Sequence, residues 1–221
     1  MELNNKIKYS FCYIIKDRTN YTNIYNGKVY DIKNFYNSVK SICDTNITDF
    51  EVVVMDFMST DTDYKWLNDL GVDNKVVTIK EEFFNKGMGL NIAPTHCSGE
   101  YIFFIDSDML ISTELMDQCD ELLKTKPAFF PICYSYTTPE NKIGKFRPTG
   151  FGNVIIEKKF YIDMKLTWNE RESWGLEDSD FYHSISKYAH RCNGVKFYHQ
   201  WHSNDDSFKL KNWKYKNRRY D

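Results

Sequence analysis

Neither sign of charge dominates this sequence: 29 Lys and Arg stand against 31 Asp and Glu, leaving a net charge of −2 and a pI near 6.2. That balance excludes a global electrostatic attraction to nucleic acid or to an anionic membrane, so a charged partner must be met by a local site. Long apolar runs are missing as well. No stretch approaches the roughly twenty apolar residues of a membrane span, and residues 1–8 are polar and charged, unlike a secretory leader; a cytoplasmic location is expected. The six cysteines, at 12, 43, 97, 119, 133 and 192, have no close pairing in sequence, which argues against a zinc ribbon or a disulfide framework and for reduced thiols. Internal repeats, low-complexity tracts and linkers are lacking too, so a single domain over residues 1–221 is expected. What the chain has in quantity is aromatic residues, 17% of the total, whose faces stack on the apolar faces of sugars and bases.

The most informative stretch is Tyr101-Ile102-Phe103-Phe104-Ile105-Asp106-Ser107-Asp108. Five consecutive apolar residues suit a strand buried on both faces, as in a parallel sheet flanked by helices. Charge cannot stay inside such a strand, so Asp106 and Asp108 must lie where it emerges, at the carboxyl edge where open α/β sheets bind ligands. Strand alternation points both carboxylates the same way, to share one cation or to divide a cation and its ligand between them. A plain surface turn is the competing reading.

Other runs build the same edge. Tyr9 to Ile15 reads as a first strand that exits into Lys16-Asp17-Arg18-Thr19, with no glycine-rich phosphate loop; Arg18 is either a ligand-edge cation or a solvated loop residue. Ile32, Phe35, Tyr36, Val39 and Ile42 recur at helical spacing. Glu51 to Asp56 is a second buried strand, whose Asp56 can serve a base or ribose, or simply cap its turn. A short helix around Trp66 and a strand over 75–79 continue an alternation that means crossover units and a mainly parallel sheet. Asn85 can cap a helix that Pro94 ends early, with Lys86 offering a cation to a diphosphate. Helix 114–123, strand 128–133 and a turn-rich excursion over 137–149 follow. The glycines of Gly150-Phe151-Gly152-Asn153 then let a ligand approach the backbone of the strand they lead into.

Two late segments add chemistry. Glu177, Asp178 and Asp180 open a run in which Phe181, Ile185 and Tyr188 have helical spacing, so these acids sit at the positive end of a helix, as functional groups or as caps. A strand over 194–198 exits into His199-Gln200-Trp201-His202, and two histidines three apart can ligate one metal or merely share a surface.

Taken together, Phe84-Asn85-Lys86 through Leu90-Asn91, the Asp106-Ser107-Asp108 triplet, Trp174-Gly175-x-Glu177-Asp178-x-Asp180-Phe181 and His199-x-x-His202 resemble the metal-dependent glycosyltransferases of the GT-A fold. The resemblance is to the β-1,4-galactosyltransferases and the chondroitin-polymerase-type family 2 enzymes, over residues 8–203. It implies a nucleotide-binding part near 8–110, an acceptor-binding part near 111–205 and a basic tail over 206–221. It further implies a UDP-sugar donor, a glycan or glycoconjugate acceptor, and a Mn²⁺ ion, with Mg²⁺ as alternative, on Asp108, His202 and His199; His199 stands where some galactosyltransferases have methionine. By the same resemblance Arg18, Asp56, Phe84, Lys86, Asn91, Asp106 and Ser107 belong to the nucleotide-sugar site, Trp174 and Glu177 to the acceptor site, and Asp178 is the catalytic base.

The residue types suit that chemistry on their own. A departing nucleoside diphosphate needs its negative charge neutralised, by a cation on hard oxygens and imidazole and by Lys86 or Arg18. An acceptor hydroxyl needs a carboxylate to take its proton. Attack from the face opposite the leaving diphosphate inverts the anomeric centre. A sugar-phosphate nucleotidylyltransferase would share the acidic edge but wants a glycine-rich loop after the first strand, and a catalytically silent carbohydrate-binding protein would keep the aromatics. A glycosidase needs neither metal ligands nor a phosphate-binding edge.

Overall fold

A computed structural model describes residues 7–171 and 175–203 of the chain. Strand β1 (Tyr9–Ile15) runs through the middle of the sheet with almost every side chain buried. After it comes a hairpin, β2 (Tyr21–Tyr25) and β3 (Lys28–Ile32), that the sequence reading did not anticipate. Its cause is local: Asn26 and Gly27 both take positive φ, 49° and 75°, which makes the tight two-residue turn whose twist suits paired strands.

Helix α1 (Asn34–Cys43) buries Phe35, Val39 and Ile42, the apolar stripe expected from spacing. Strand β4 (Phe50–Asp56), the short helix α2 (Trp66–Asp69), β5 (Asn74–Thr78), α3 (Lys86–Ile92) and β6 (Tyr101–Phe104) complete the first half. In α3 the Asn85 Oδ1 accepts the Met88 N–H at 3.0 Å, and Pro94 ends the helix in a 3-10 turn over Ala93–Thr95. Strands β5, β4, β1 and β6 lie side by side, all parallel, so their carboxyl ends share one edge.

The second half adds antiparallel strands to the mainly parallel sheet expected. Its elements are β7 (Met109–Leu110), α4 (Thr113–Leu122), β8 (Ala128–Tyr136), β9 (Gly144–Phe146), β10 (Val154–Glu157), α5 (Lys158–Asp163), α6 (Glu177–Ile185) and β11 (Ala189–His199). The sheet continues β6-β10-β8-β11-β7, with β9 paired to β8. Strand β10 is antiparallel to β6 and β8 because the excursion after β8 leaves the chain at the carboxyl edge, and the strand must run back from there. β11 is parallel to β8 and antiparallel to β7. The fold is therefore a mixed α/β sheet, wholly parallel in its first half and with parallel and antiparallel pairs in its second.

Strand alternation divides the core between two faces. Tyr9, Phe11, Tyr13 and Ile15 pack with Phe35, Val39 and Leu115 on the face of α1 and α4. Cys12, Val53 and Phe104 pack with Leu90, Trp168 and Phe181 on the face of α3 and α6. All six cysteines are free thiols, as expected. Among the described residues no helix is long and apolar enough to cross a membrane.

Candidate active site

Strand β6 ends at Phe104, and the chain turns at residues 107–108 before entering β7. Strand alternation therefore no longer governs the two carboxylates, and each has its own partners. The Asp106 Oδ1 accepts the Lys86 ammonium at 2.6 Å, and its Oδ2 accepts the Asn153 amide at 3.2 Å. Asn153 closes the bracket by accepting the Asp106 backbone N–H at 2.8 Å. Asp108 instead faces the imidazoles: its Oδ2 lies 3.5 Å from His199 Nε2 and 3.2 Å from His202 Nε2. β11 and the residues after it bring them there: His199 pairs with Met109, and the Gln200 N–H donates to the Asp108 carbonyl at 2.8 Å.

One carboxylate and two imidazoles thus offer ligand atoms within 4.8 Å of one another. The Asp108 Oδ1 is buried without a hydrogen-bond partner among the described residues. His202 Nδ1 lies 2.9 Å from the Ser203 carbonyl; a carbonyl only accepts, so that nitrogen carries a hydrogen, and Nε2 is the ring atom turned toward Asp108. His199 Nδ1 is held by the Ser135 hydroxyl at 3.0 Å. Burial works against the charge on Asp108, yet the His199 and His202 rings hold its carboxyl well below the usual range. Burial likewise lowers the basicity of His199, and the Asp108 carboxylate more than reverses this, raising it overall. The trio is a site for positive charge, and a carboxylate oxygen with two imidazole nitrogens fits a divalent transition ion better than Mg²⁺, which prefers an all-oxygen shell.

Lys86 connects this edge to α6. Burial opposes its charge, but Asp106, Glu177 and Asp178 surround it and keep it protonated well above the ordinary lysine range. Glu177, 6% exposed, has its carboxyl raised by burial, with Lys86 opposing and Asp178 and Asp106 adding to the shift. Gly175 and Leu176, at φ 100° and 75°, turn the chain into α6 so that its first residues face Lys86. Asp180 is turned elsewhere: it binds Arg171 at 2.6 Å and Asn169 at 3.1 Å, a structural tether for the preceding segment.

The remaining residues of the expected site divide. Arg18 lies over the Tyr21 ring, 5.6 Å from its centroid, and the Tyr21 hydroxyl, raised first by burial, feels both Arg18 and Asp108. Ser107 is half-buried on the turn between the carboxylates. Phe84 packs edge-on against Phe57 at 5.2 Å. Asp56 is buried and accepts the Tyr64 hydroxyl at 2.8 Å and the Ser59 N–H at 3.1 Å, the arrangement of a turn cap. Asn91 is engaged at both ends of its amide, accepting the Trp168 N–H at 2.7 Å and donating to the Trp168 carbonyl at 3.0 Å. It docks segment 168–170 on α3, where a Cβ at Gly87 would collide with the Asn169 carbonyl. Trp174 and the basic tail lie outside the described residues.

Asn153 and Ser135 were not legible as site residues, whereas Gly152 was expected to let a ligand near the backbone. The close approach at Gly152 is made by Asp106: a Cβ there would meet the Asp106 Oδ2 at 2.8 Å and the Lys86 Nζ at 3.4 Å. Gly152→Ala should therefore displace the Asp106 carboxylate and lower kcat/KM for the donor toward the roughly 100-fold that a 1 Å misplacement can cost. Steady-state kinetics with the donor varied would measure this, and kinetics equal to wild type would remove Gly152 from the site.

Residues 24–199 match the model of the family described as Glycosyl transferase family 2. The chain belongs to that family. Its fold is that of GT-A enzymes. Chondroitin sulfate synthase 3 of Homo sapiens is 23% identical over 128 residues, covering 50% of this chain and 14% of that protein. The chain thus spans about a seventh of the length of this curated relative. Among solved structures, S. aureus TarS in complex with UDP-GlcNAc superposes with a TM-score of 0.69 at 15% identity, over 90% of this chain and 60% of that one. A mannosyltransferase from Pyrobaculum calidifontis in complex with GDP-Man and Mn²⁺ gives 0.66 at 14% identity, over 92% and 60%. GalNAc-T7 with UDP, GalNAc and Mn²⁺ gives 0.63 at 12% identity, over 91% and 44%.

Proposed function

We propose that the chain is a glycosyltransferase, moving a sugar from a UDP-sugar to a hydroxyl of a glycan or glycoconjugate, with inversion, at the edge formed by Asp106, Asp108, Glu177 and Asp178. The observation that carries the reading is the convergence of Asp108 with the Nε2 atoms of His199 and His202, one buried carboxylate oxygen being left without a partner. These three residues would hold a Mn²⁺ ion, which when bound supplies Lewis-acid neutralisation of a departing diphosphate. The Mn²⁺ in two of the structural neighbours and the uridine nucleotides in two of them support this choice.

In this reading the nucleotide-binding part lies near residues 8–110 and the acceptor-binding part near 111–205. Asp106, oriented by Lys86 and Asn153, accepts hydroxyls of the donor's ribose or sugar. Lys86 and Arg18 add positive charge on the donor side. Asp178, at the amino end of α6 and within the field of Lys86, takes the proton of the acceptor hydroxyl as the new bond forms, while the buried Glu177 accepts a second acceptor hydroxyl.

The test is a panel of UDP- and GDP-sugars incubated with the protein and Mn²⁺. We expect slow hydrolysis of one UDP-sugar, abolished by EDTA, with nuclear magnetic resonance showing the released sugar first as the β anomer from an α-linked donor. Hydrolysis that persists in EDTA would overturn the metal assignment, α-anomer release would overturn inversion, and a preference for GDP-sugars would overturn the nucleotide.

A further inference from the structure

The two imidazoles that face Asp108 are brought to it by the end of β11 and the irregular residues that follow, and the residue just after His199 carries the fixing contacts. Gln200 is only 7% exposed although polar. Its backbone N–H reaches the Asp108 carbonyl at 2.8 Å. Its side chain is anchored on α1, where Nε2 donates to the Asn34 carbonyl at 2.9 Å and Oε1 accepts from the Asn37 amide at 3.0 Å. Asn34 in turn donates its side-chain amide to the Trp201 carbonyl at 3.1 Å. The Trp201 ring is wedged edge-on against Tyr25 and Tyr30 of the hairpin, at 5.5 and 6.0 Å.

We propose that Gln200, braced by Asn37, is the positioning residue of the metal centre, holding His199 and His202 on one side of Asp108. The inference rests on the metal reading above and adds a determinant that contacts neither metal nor substrate. The physical reason is that a neutral amide contributes no net charge to a cation, so its effect must come through geometry. With its anchor on α1 the segment presents both nitrogens already converged; without it, bringing them together costs conformational entropy at the moment of binding. An apolar side chain at Gln200 would leave the Asn37 amide without its acceptor and the Asn34 carbonyl without this donor. The helix would keep its fold, since the anchor is additional to its own backbone ladder.

Calorimetric titration of Mn²⁺ into the full chain, beside thermal unfolding with and without Mn²⁺, tests this in wild type, Asn37→Ala and Gln200→Leu. Loss of an outer-shell partner typically costs about 10- to 100-fold in metal affinity, and Gln200→Leu should fall in that range, with Asn37→Ala near its lower end. Asn37 is an exposed helical residue, and alanine is a better helix former than asparagine, so Asn37→Ala should keep or raise the metal-free Tm while binding Mn²⁺ more weakly. A purely structural role would not separate these two readouts. Wild-type affinity in folded Asn37→Ala and Gln200→Leu overturns the inference and leaves the metal reading intact; if Gln200→Leu does not fold, Asn37→Ala decides alone. No Mn²⁺ binding by the wild-type chain overturns both.

Discussion

Asp178→Asn should lower the rate of sugar transfer by about 10²- to 10⁴-fold, the range that a positioned general base contributes, while leaving Mn²⁺-dependent UDP binding intact. The substitution keeps size and shape, and the asparagine carbonyl can still accept the Ser179 N–H that Asp178 accepts at 2.8 Å. What it removes is the ability to take a proton. The charge lost is one of three carboxylates around Lys86, so that ammonium keeps Asp106 as its ion-pair partner and the donor side is little disturbed. Product formation at saturating donor and acceptor, beside calorimetric UDP binding, separates the two effects. A variant retaining near wild-type turnover would move the role to Glu177, whose carboxyl burial raises above the ordinary range, and Glu177→Gln would then be the decisive comparison.

Asp108→Ala should act on binding. Loss of an outer-shell partner costs about 10- to 100-fold in metal affinity, so loss of a direct ligand should exceed roughly 100-fold and carry Mn²⁺-dependent UDP binding with it. The fold should tolerate the change, because a buried carboxylate is removed and His199, whose burial disfavours its charge, loses the anion that raises it. The sign of the pH dependence follows from the same trio. Protons compete with a cation for the imidazoles, and His199 titrates above the ordinary histidine value because Asp108 outweighs its burial. Mn²⁺ affinity of the wild-type chain should therefore weaken as pH is lowered through that raised range, and in Asp108→Ala this dependence should shift to lower pH. Calorimetric titration across pH checks both; pH-independent binding, or full Mn²⁺ affinity in Asp108→Ala, would remove Asp108 and the imidazoles from the metal centre.

How far the site could be read from sequence varied with the range of the interaction concerned. The arrival of Asp106 and Asp108 at a sheet edge follows from burial alone, and the structure places them there. Their division between Lys86 and the imidazoles does not follow, because the turn at 107–108 breaks the strand rule that would have aligned them. The residues alone left Asp56 open between a base and a turn cap, and the resemblance put both Asp56 and Asn91 with the nucleotide; the contacts the structure adds are that Asp56 caps its own turn and Asn91 pins segment 168–170. Asn153 and Ser135 were missed because a single amide or hydroxyl beside a strand has no periodicity to mark it. The hairpin, by contrast, was announced by Asn26-Gly27 and could have been recognised.

Local patterning by itself determined the buried strands of the first half, the helices packed on them and the edge at which charged residues must emerge, since these depend on side-chain periodicity and on the cost of burying charge. Only the tertiary structure decided which acid meets which base. The pairing of β11 with β7 and the anchoring of Gln200 on α1 bring His199 and His202 to Asp108, and the return of β10 antiparallel to β6 brings Asn153 to Asp106. Such convergence is set by strand order and register across the whole sheet, which no short window of residues encodes.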